Sequence, residues 1–229
     1  MQKLVMPFKQ STMVCGYKTA KYLSAWGYPH YGVDISTYQG TEVDDHTVYA
    51  SGTGKVVAAG WDSKLGGAVC IQYDDAYNHA TGKTVSVVAR YMHMEKVLVK
   101  TGDAVTADTP VGIEGKEGTN GYHLHLEFDS DLAYPKWTPQ VSRGLSFWVR
   151  GVDSTIDPSD LLHQSTDRKT LPDNWADGWL REKDRSIPFA DAAESGNSGD
   201  DQKEEPSSVI TWEEAAKKLK LLGYSSIKL

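Results

Sequence analysis

One segment of the sequence, GYHLHLEF at 121–128, places ionisable residues at every second position. If this segment is a β-strand, successive side chains point to opposite faces, so His123, His125 and Glu127 project together. The other face is apolar and consists of Leu124, Leu126 and Phe128. Imidazole groups on one face of a strand can hold a metal ion or transfer protons, so this segment is a candidate for a catalytic site.

Two further segments carry the same chemistry. GYPHYGVDI at 27–35 has His30 and Asp34 in an H-x-x-x-D spacing, and VVARYMHMEK at 87–96 contains His93. The odd-numbered positions of the second segment, His93 included, are predicted to share one strand face. Each segment alone is a weak signal. Together the three segments supply four histidines and one carboxylate. A catalytic zinc ion takes three protein ligands and keeps one position for water, so two of the five residues would remain for acid–base catalysis.

The elements that must position these residues are predicted to be β-strands. From about 47 to 128, segments rich in β-branched and aromatic residues are separated by glycines, which is typical of an all-β sandwich or barrel. Residues 154–164, STIDPSDLLHQ, predict a turn and a short closing helix that begins near Pro158. We predict a mainly β fold, with an antiparallel sheet or barrel-sandwich-like core, long loops and a short helical C-terminal tail.

Composition excludes several classes of protein. The 229 residues include 24 basic and 31 acidic ones, for a net charge of −7, and 191–205 alone carries −5 of it. No basic patch indicates a nucleic-acid partner. No segment approaches the roughly 20 apolar residues of a membrane-spanning helix, so membrane insertion is not predicted. The start, MQKLVMPFKQST, lacks the apolar run of a signal peptide.

The two cysteines are too few for a disulfide-stapled scaffold. Cys70 lies in the strand-like segment GGAVCIQY, where a buried thiol that packs as a small apolar residue is favoured over a disulfide with Cys15. The sequence alone leaves open whether the two residues pair.

The C-terminal third changes character. We predict an extension over 165–190, a flexible acidic Gly/Ser linker over 191–207 and an amphipathic helix over 208–229. Thr211 and Glu214 form a capping box for that helix. The helix offers a surface for self-association, but an oligomer is not predicted.

The order of the motifs resembles the lysostaphin-like, or LytM-type, zinc metallo-endopeptidases, which cut peptide bonds in bacterial peptidoglycan. The motifs are, in sequence, H-x-G-x-D at 30–34, VYASGTGKVVAAGW, GGAVCIQY, YMHM, VKTGDAVTADTPVGIEGKEGTNG, HLHLEF and DPSDLL. The resemblance covers about residues 12–164 and implies that a zinc metallo-endopeptidase domain spans them.

The resemblance implies that His30, Asp34 and His125 hold one zinc ion per chain and that His93 and His123 are catalytic. Positions two apart on one strand face lie about 6.6 Å apart, so one ligand and one catalytic partner in H-x-H agree with strand geometry. The implied reaction is hydrolysis of cross-link or stem peptides by a zinc-activated water, with one histidine as base and the other serving the oxyanion or the leaving amine. Which histidine is the base is not determined.

Several alternatives remain open. A catalytically inactive scaffold of the same fold would bind the wall or activate an amidase, although such relatives typically have ligands replaced. A cupin-like barrel also uses H-x-H, but would need a later glutamate and a further histidine in a downstream strand. His163 is instead predicted in a helix, on the surface with His46 and His79. Glu127 either contacts one of the metal-ligating residues or forms an ion pair at the rim of the site.

A wall-degrading fold without a signal peptide suggests delivery by a phage or prophage, as a bacteriolytic endolysin, or export that does not use the Sec pathway. Peptidoglycan is the expected partner. The sequence does not tell which of its bonds is cut.

Overall fold

β-Strands dominate the computed structural model of the protein, which describes residues 1–38, 43–136, 138–139, 153–170, 178–180 and 190–191. The predicted mainly β fold is therefore confirmed. The helical elements of these residues are α1 (Ala20–Trp26) and a 3-10 turn at Pro158–Asp160. The strands are β1 (Leu4–Val5), β2 (Gln10–Cys15), β3 (Val33–Ser36), β4 (Thr47–Tyr49), β5 (Gly54–Asp62), β6 (Gly66–Asn78), β7 (Lys83–Met94), β8 (Lys96–Val97), β9 (Ala104–Val105), β10 (Pro110–Ile113), β11 (Leu124–Asp129), β12 (Thr155–Ile156), β13 (Leu162–Gln164), β14 (Lys169–Thr170) and β15 (Ala190–Asp191).

The largest sheet has the strand order β14-β2-β3-β11-β7-β6-β5-β9, with β12 also paired to β11. Its neighbours are antiparallel except β14 and β2, which run parallel. Two three-stranded sheets accompany it, an antiparallel one of order β4-β10-β8 and a parallel one of order β1-β13-β15. Because β11 lies between β3 and β7, the three segments that carry the candidate site residues are adjacent in space.

The apolar face of β11 packs into the main hydrophobic core. Its three apolar residues, Leu124, Leu126 and Phe128, have no exposed surface and join residues from both neighbouring strands in one cluster. The side chains of HLHLEF thus point alternately into the cleft and into the core. Burial of three such side chains contributes several kcal/mol to the stability of this strand.

Strand β7 does not keep a strict alternation to its end. Val87, Ala89 and Tyr91 are buried in the core, and the Tyr91 hydroxyl bonds the Tyr73 hydroxyl at 2.8 Å. A register shift against β6 follows Tyr91, and His93 has a φ of 67°. The prediction that His93 shares the face of the other odd positions was therefore wrong, since the irregularity turns His93 into the cleft.

The predicted closing helix at 154–164 is reduced to one 3-10 turn. Asp157 caps it by accepting from the backbone N–H of Ser159 at 3.0 Å, and Pro158 is its first residue. The chain then forms β13, where His163 is 1% exposed and its Nδ1–H donates to the Leu4 carbonyl at 3.2 Å. The predictions of a helix and of a surface histidine were wrong here, because β13 is held by the distant strand β1.

The described residues all belong to one compact unit, Met1–Ala193. Both cysteines are buried free thiols, as predicted for Cys70. Among these residues no helix has the length and apolar character needed to span a membrane. Of the predicted linker over 191–207, residues 192–207 lie outside the described residues, and so does the whole predicted helix over 208–229. Of the predicted extension over 165–190, residues 171–177 and 181–189 also lie outside them.

Candidate metal centre and active-site cleft

The strand register brings the H-x-x-x-D and H-x-H segments together. His125 of β11 is the direct cross-strand partner of Asp34 on β3 and of Met92 on β7. His30 precedes β3 in a loop that follows α1, which ends at Gly27 in the left-handed conformation. This arrangement places the side chains of one loop and two strands at a single point of the cleft.

Three atoms that could ligate a metal ion form a small triangle there, called the donor triangle below. Nε2 of His30 lies 3.0 Å from Oδ1 of Asp34 and 3.0 Å from Nδ1 of His125. The third side, from Nδ1 of His125 to Oδ1 of Asp34, is 2.8 Å. Nitrogen and oxygen ligands of a tetrahedral zinc ion lie about 3.3 Å from one another, so the triangle fits an ion of that size with small adjustments.

The remaining ring nitrogens hold the two imidazoles in place. Nδ1–H of His30 donates to the Gly16 carbonyl at 2.8 Å, and Nε2–H of His125 donates to Oε1 of Glu127 at 3.3 Å. The Tyr22 ring stacks on His30 at a centroid distance of 4.4 Å. With these tautomers both triangle nitrogens carry free lone pairs, which is the state that a metal ligand requires.

The charges of the triangle favour a cation. Burial lowers the pKa of His30, but Asp34 and Cys15 outweigh it and raise this pKa to about 9. Burial likewise opposes protonation of His125, yet hydrogen bonds to Asp34 and Glu127 raise its pKa to about 10. Despite burial, the neighbouring histidines hold the pKa of Asp34 well below its usual value. Without a metal, the site therefore draws protons onto its histidines.

His93 and His123 lie beside the triangle. Their ring centroids are 5.0 Å apart, and Nε2 of His123 is 3.7 Å from Oδ1 of Asp34. Nδ1–H of His93 donates to the Glu117 carbonyl at 2.8 Å, and Nδ1–H of His123 donates to the Gly121 carbonyl at 2.9 Å. Each ring in this neutral tautomer keeps an unprotonated Nε2, which can accept a proton.

The environment keeps His93 neutral. Burial, together with His123 and His125, lowers its pKa to about 3. Its positive φ is uncommon for a residue other than glycine, and such conformations concentrate at functional sites. His93 is therefore a neutral imidazole held in an unusual backbone conformation beside the triangle.

The cleft around these residues has a volume of roughly 650 Å³, which is large enough for several residues of an extended substrate. All five residues predicted from the sequence line it. One wall is aromatic and includes Tyr22, Trp26, Tyr28, Tyr31 and Trp179. Trp26 is 56% exposed, so this wall presents apolar surface to a ligand.

Sequence reasoning did not single out three residues next to the triangle. The thiol of Cys15, the cross-strand partner of Asp34, lies within 4.8 Å of donor atoms of His30 and Asp34. Arg90 and Thr138 contact Glu127, which itself contacts His125. The sequence signal for these contacts around Glu127 was an arginine inside a predicted strand, because arginine is rarely buried unless it is paired.

Comparison with known proteins shows similarity to one peptidase family and to individual peptidases. Residues 28–135 match the family model of Peptidase family M23. The chain is 35% identical over 100 residues to the peptidoglycan DD-endopeptidase ShyA of Vibrio cholerae, covering 43% of this chain and 20% of ShyA. It is 34% identical over 116 residues to lysostaphin of Staphylococcus simulans, covering 49% and 20%. The chain thus spans about a fifth of the length of these relatives.

One solved structure that the comparison matches to this chain is that of the SpoIIQ–SpoIIIAH pore-forming complex. The TM-score is 0.49 at 20% sequence identity, and the match covers 71% of this chain and 92% of the other.

Proposed function

Because residues 28–135 match the model of Peptidase family M23, we propose that the protein is a zinc-dependent endopeptidase of bacterial peptidoglycan. It hydrolyses peptide bonds in cross-links or stem peptides, and the catalytic domain spans about 12–164. The observation that carries this proposal is the triangle of His30, Asp34 and His125, whose donor atoms lie 2.8–3.0 Å apart in a cleft with two further histidines.

In this proposal His30, Asp34 and His125 hold one zinc ion per chain. Two neutral imidazoles and one carboxylate are borderline nitrogen and oxygen donors that suit zinc. Three protein ligands are the number found in catalytic rather than structural zinc sites. The bound ion supplies a Lewis acid that lowers the pKa of water and polarises a carbonyl oxygen.

His93 and His123 transfer the protons of the reaction. Each has Nδ1–H fixed on a backbone carbonyl, so each presents Nε2 as the reactive atom. One accepts a proton from the attacking water, and the other, once protonated, donates to the oxyanion or to the leaving amine.

The names of two relatives support the proposed substrate class. ShyA is a peptidoglycan DD-endopeptidase, and a glycyl-glycine endopeptidase, ALE-1 of Staphylococcus capitis, is 34% identical over 115 residues. These two names specify different peptide bonds. Peptidoglycan is therefore the proposed substrate, and the aromatic wall, of which Trp26 is the exposed member, is suited to bind its peptide or sugar units.

The purified protein is expected to release soluble peptide fragments from isolated peptidoglycan in the presence of zinc. Mass spectrometry of the fragments, with labelling of new amino termini, measures the cleavage and identifies the bond. Sacculi from species with direct cross-links and with glycine bridges should be compared. Binding to all of them with no new amino termini would overturn the proposal and favour the inactive scaffold.

A further inference from the structure

A buried ion network lies directly behind the candidate metal centre. Arg90 on β7 is 1% exposed, and its guanidinium lies 3.1 Å from Glu127 and 3.0 Å from Asp129. It also donates to the backbone carbonyl of Pro135 at 2.9 Å. Arg90 and Glu127 are cross-strand partners, so the network is part of the same two strands that carry His93 and His125.

Glu127 connects this network to the metal centre. Its Oε2 accepts from Arg90, while Oε1 accepts from the Thr138 hydroxyl at 2.8 Å and from Nε2–H of His125 at 3.3 Å. Glu127 as a whole residue is 3% exposed. It therefore holds three donors at once, and one of them is the ring whose opposite nitrogen belongs to the donor triangle.

We propose that Glu127, held by Arg90 and Thr138, is a positioning residue that fixes the ring orientation and tautomer of His125 for metal binding. This inference rests on the proposed function. A carboxylate that accepts from Nε2–H leaves the lone pair on Nδ1, the atom that faces His30 and Asp34, and makes that nitrogen a stronger ligand. Without it the ring is free to rotate or to change tautomer.

Arg90 and Thr138 have distinct parts in this arrangement. Arg90 compensates the buried charge of Glu127, which would otherwise be costly in this environment. Thr138 approaches from the segment after Pro135, whose carbonyl Arg90 also binds. The loop that follows β11 is thus fastened to the same carboxylate that orients His125.

Asp129 provides a matched control on the same arginine. Its Oδ2 accepts from Arg90, and its Oδ1 accepts from the Ser154 hydroxyl at 2.7 Å and from the Asp131 backbone N–H at 2.8 Å. Asp129→Asn and Glu127→Gln therefore each remove one buried negative charge from Arg90. Of these two carboxylates, Glu127 is the one that contacts His125.

The test is the zinc affinity of the full chain, measured by competition with a chromogenic chelator. Glu127→Gln is expected to weaken binding by about 10–100-fold, the usual effect of removing such a partner. It is also expected to change the visible absorption of the cobalt(II)-substituted protein, because the geometry at His125 changes. Asp129→Asn is expected to leave both measurements as in the wild type. Urea unfolding of the metal-free variants compares their general effects on stability.

Equal zinc affinity of Glu127→Gln and the wild type would overturn the inference, as would an equal loss in Asp129→Asn. If Glu127→Gln fails to fold, Thr138→Val, which removes one donor and keeps the shape, should shift affinity in the same direction by a smaller factor. An unchanged zinc affinity of Thr138→Val would also contradict the inference. A wild-type protein that binds no zinc would instead overturn the proposed function, and this inference with it.

Discussion

His125→Ala is expected to lose both zinc and peptidoglycan cleavage, whereas His123→Ala should keep its zinc and lose about 10²–10⁴-fold in hydrolysis rate. The two residues belong to one H-x-H motif, but their surroundings differ. Nδ1 of His125 is within 3.0 Å of both His30 and Asp34. Nε2 of His123 lies 3.7 Å from Oδ1 of Asp34, and its Nδ1–H is bonded to a backbone carbonyl.

The physical reason is the number of ligands. Removing one of three protein ligands leaves two, which is fewer than catalytic zinc sites use. Removing a proton-transfer group leaves the ion in place but takes away general acid–base catalysis. Metal analysis of both purified variants, beside a turbidity assay on cell walls, separates the two effects. Equal zinc loss in both would show that both histidines are ligands, and full activity in either would remove that residue from the mechanism.

Arg90→Met is expected to destabilise the metal-free protein by about 3–5 kcal/mol, because it leaves two buried carboxylates without their cation. Glu127 and Asp129 have side chains that are 4% and 3% exposed, so water cannot compensate their charges. Urea unfolding in the presence of a chelator measures this effect without the added stabilisation that metal binding would give.

Arg168→Met is the comparison variant. Arg168 is 4% exposed, but its ion-pair partner Asp108 has a side chain that is 94% exposed and 3.8 Å away. Removing Arg168 leaves that carboxylate solvated, so the loss of stability should be clearly smaller than for Arg90. Equal losses in the two variants would contradict the account of Arg90 as the cation of a buried pair.

Much of the cleft could be predicted because strand periodicity determines which side chains share a face. In β11 the three apolar residues are buried and the ionisable residues line the cleft, as the alternation in HLHLEF predicts. The same reasoning was wrong for His93, since a register shift and a positive φ near the end of β7 reverse its direction. Such an irregularity depends on pairing with β6 and has no clear signature in the segment itself.

Non-local pairing accounts for the other differences. His163 lies in a strand because the N-terminal strand β1 pairs with it, and periodicity over three residues cannot predict that. A cupin-like site would need a further histidine in a downstream strand. His163 does lie in such a strand, but its ring contacts the Leu4 carbonyl and it is not among the residues that line the cleft. Arg90 meets Glu127 through the register of β7 and β11, which the sequence does not specify.

The most direct test of the account is removal and return of the metal. The purified protein is expected to contain about one zinc ion per chain, to stop releasing peptides from peptidoglycan after dialysis against a chelator, and to regain that activity when zinc is added. Asp34→Ala should not regain it under the same conditions, because one member of the donor triangle is missing. Undiminished release of peptides by the metal-free wild type would contradict the assignment of His30, Asp34 and His125 as the zinc site of a metallo-endopeptidase.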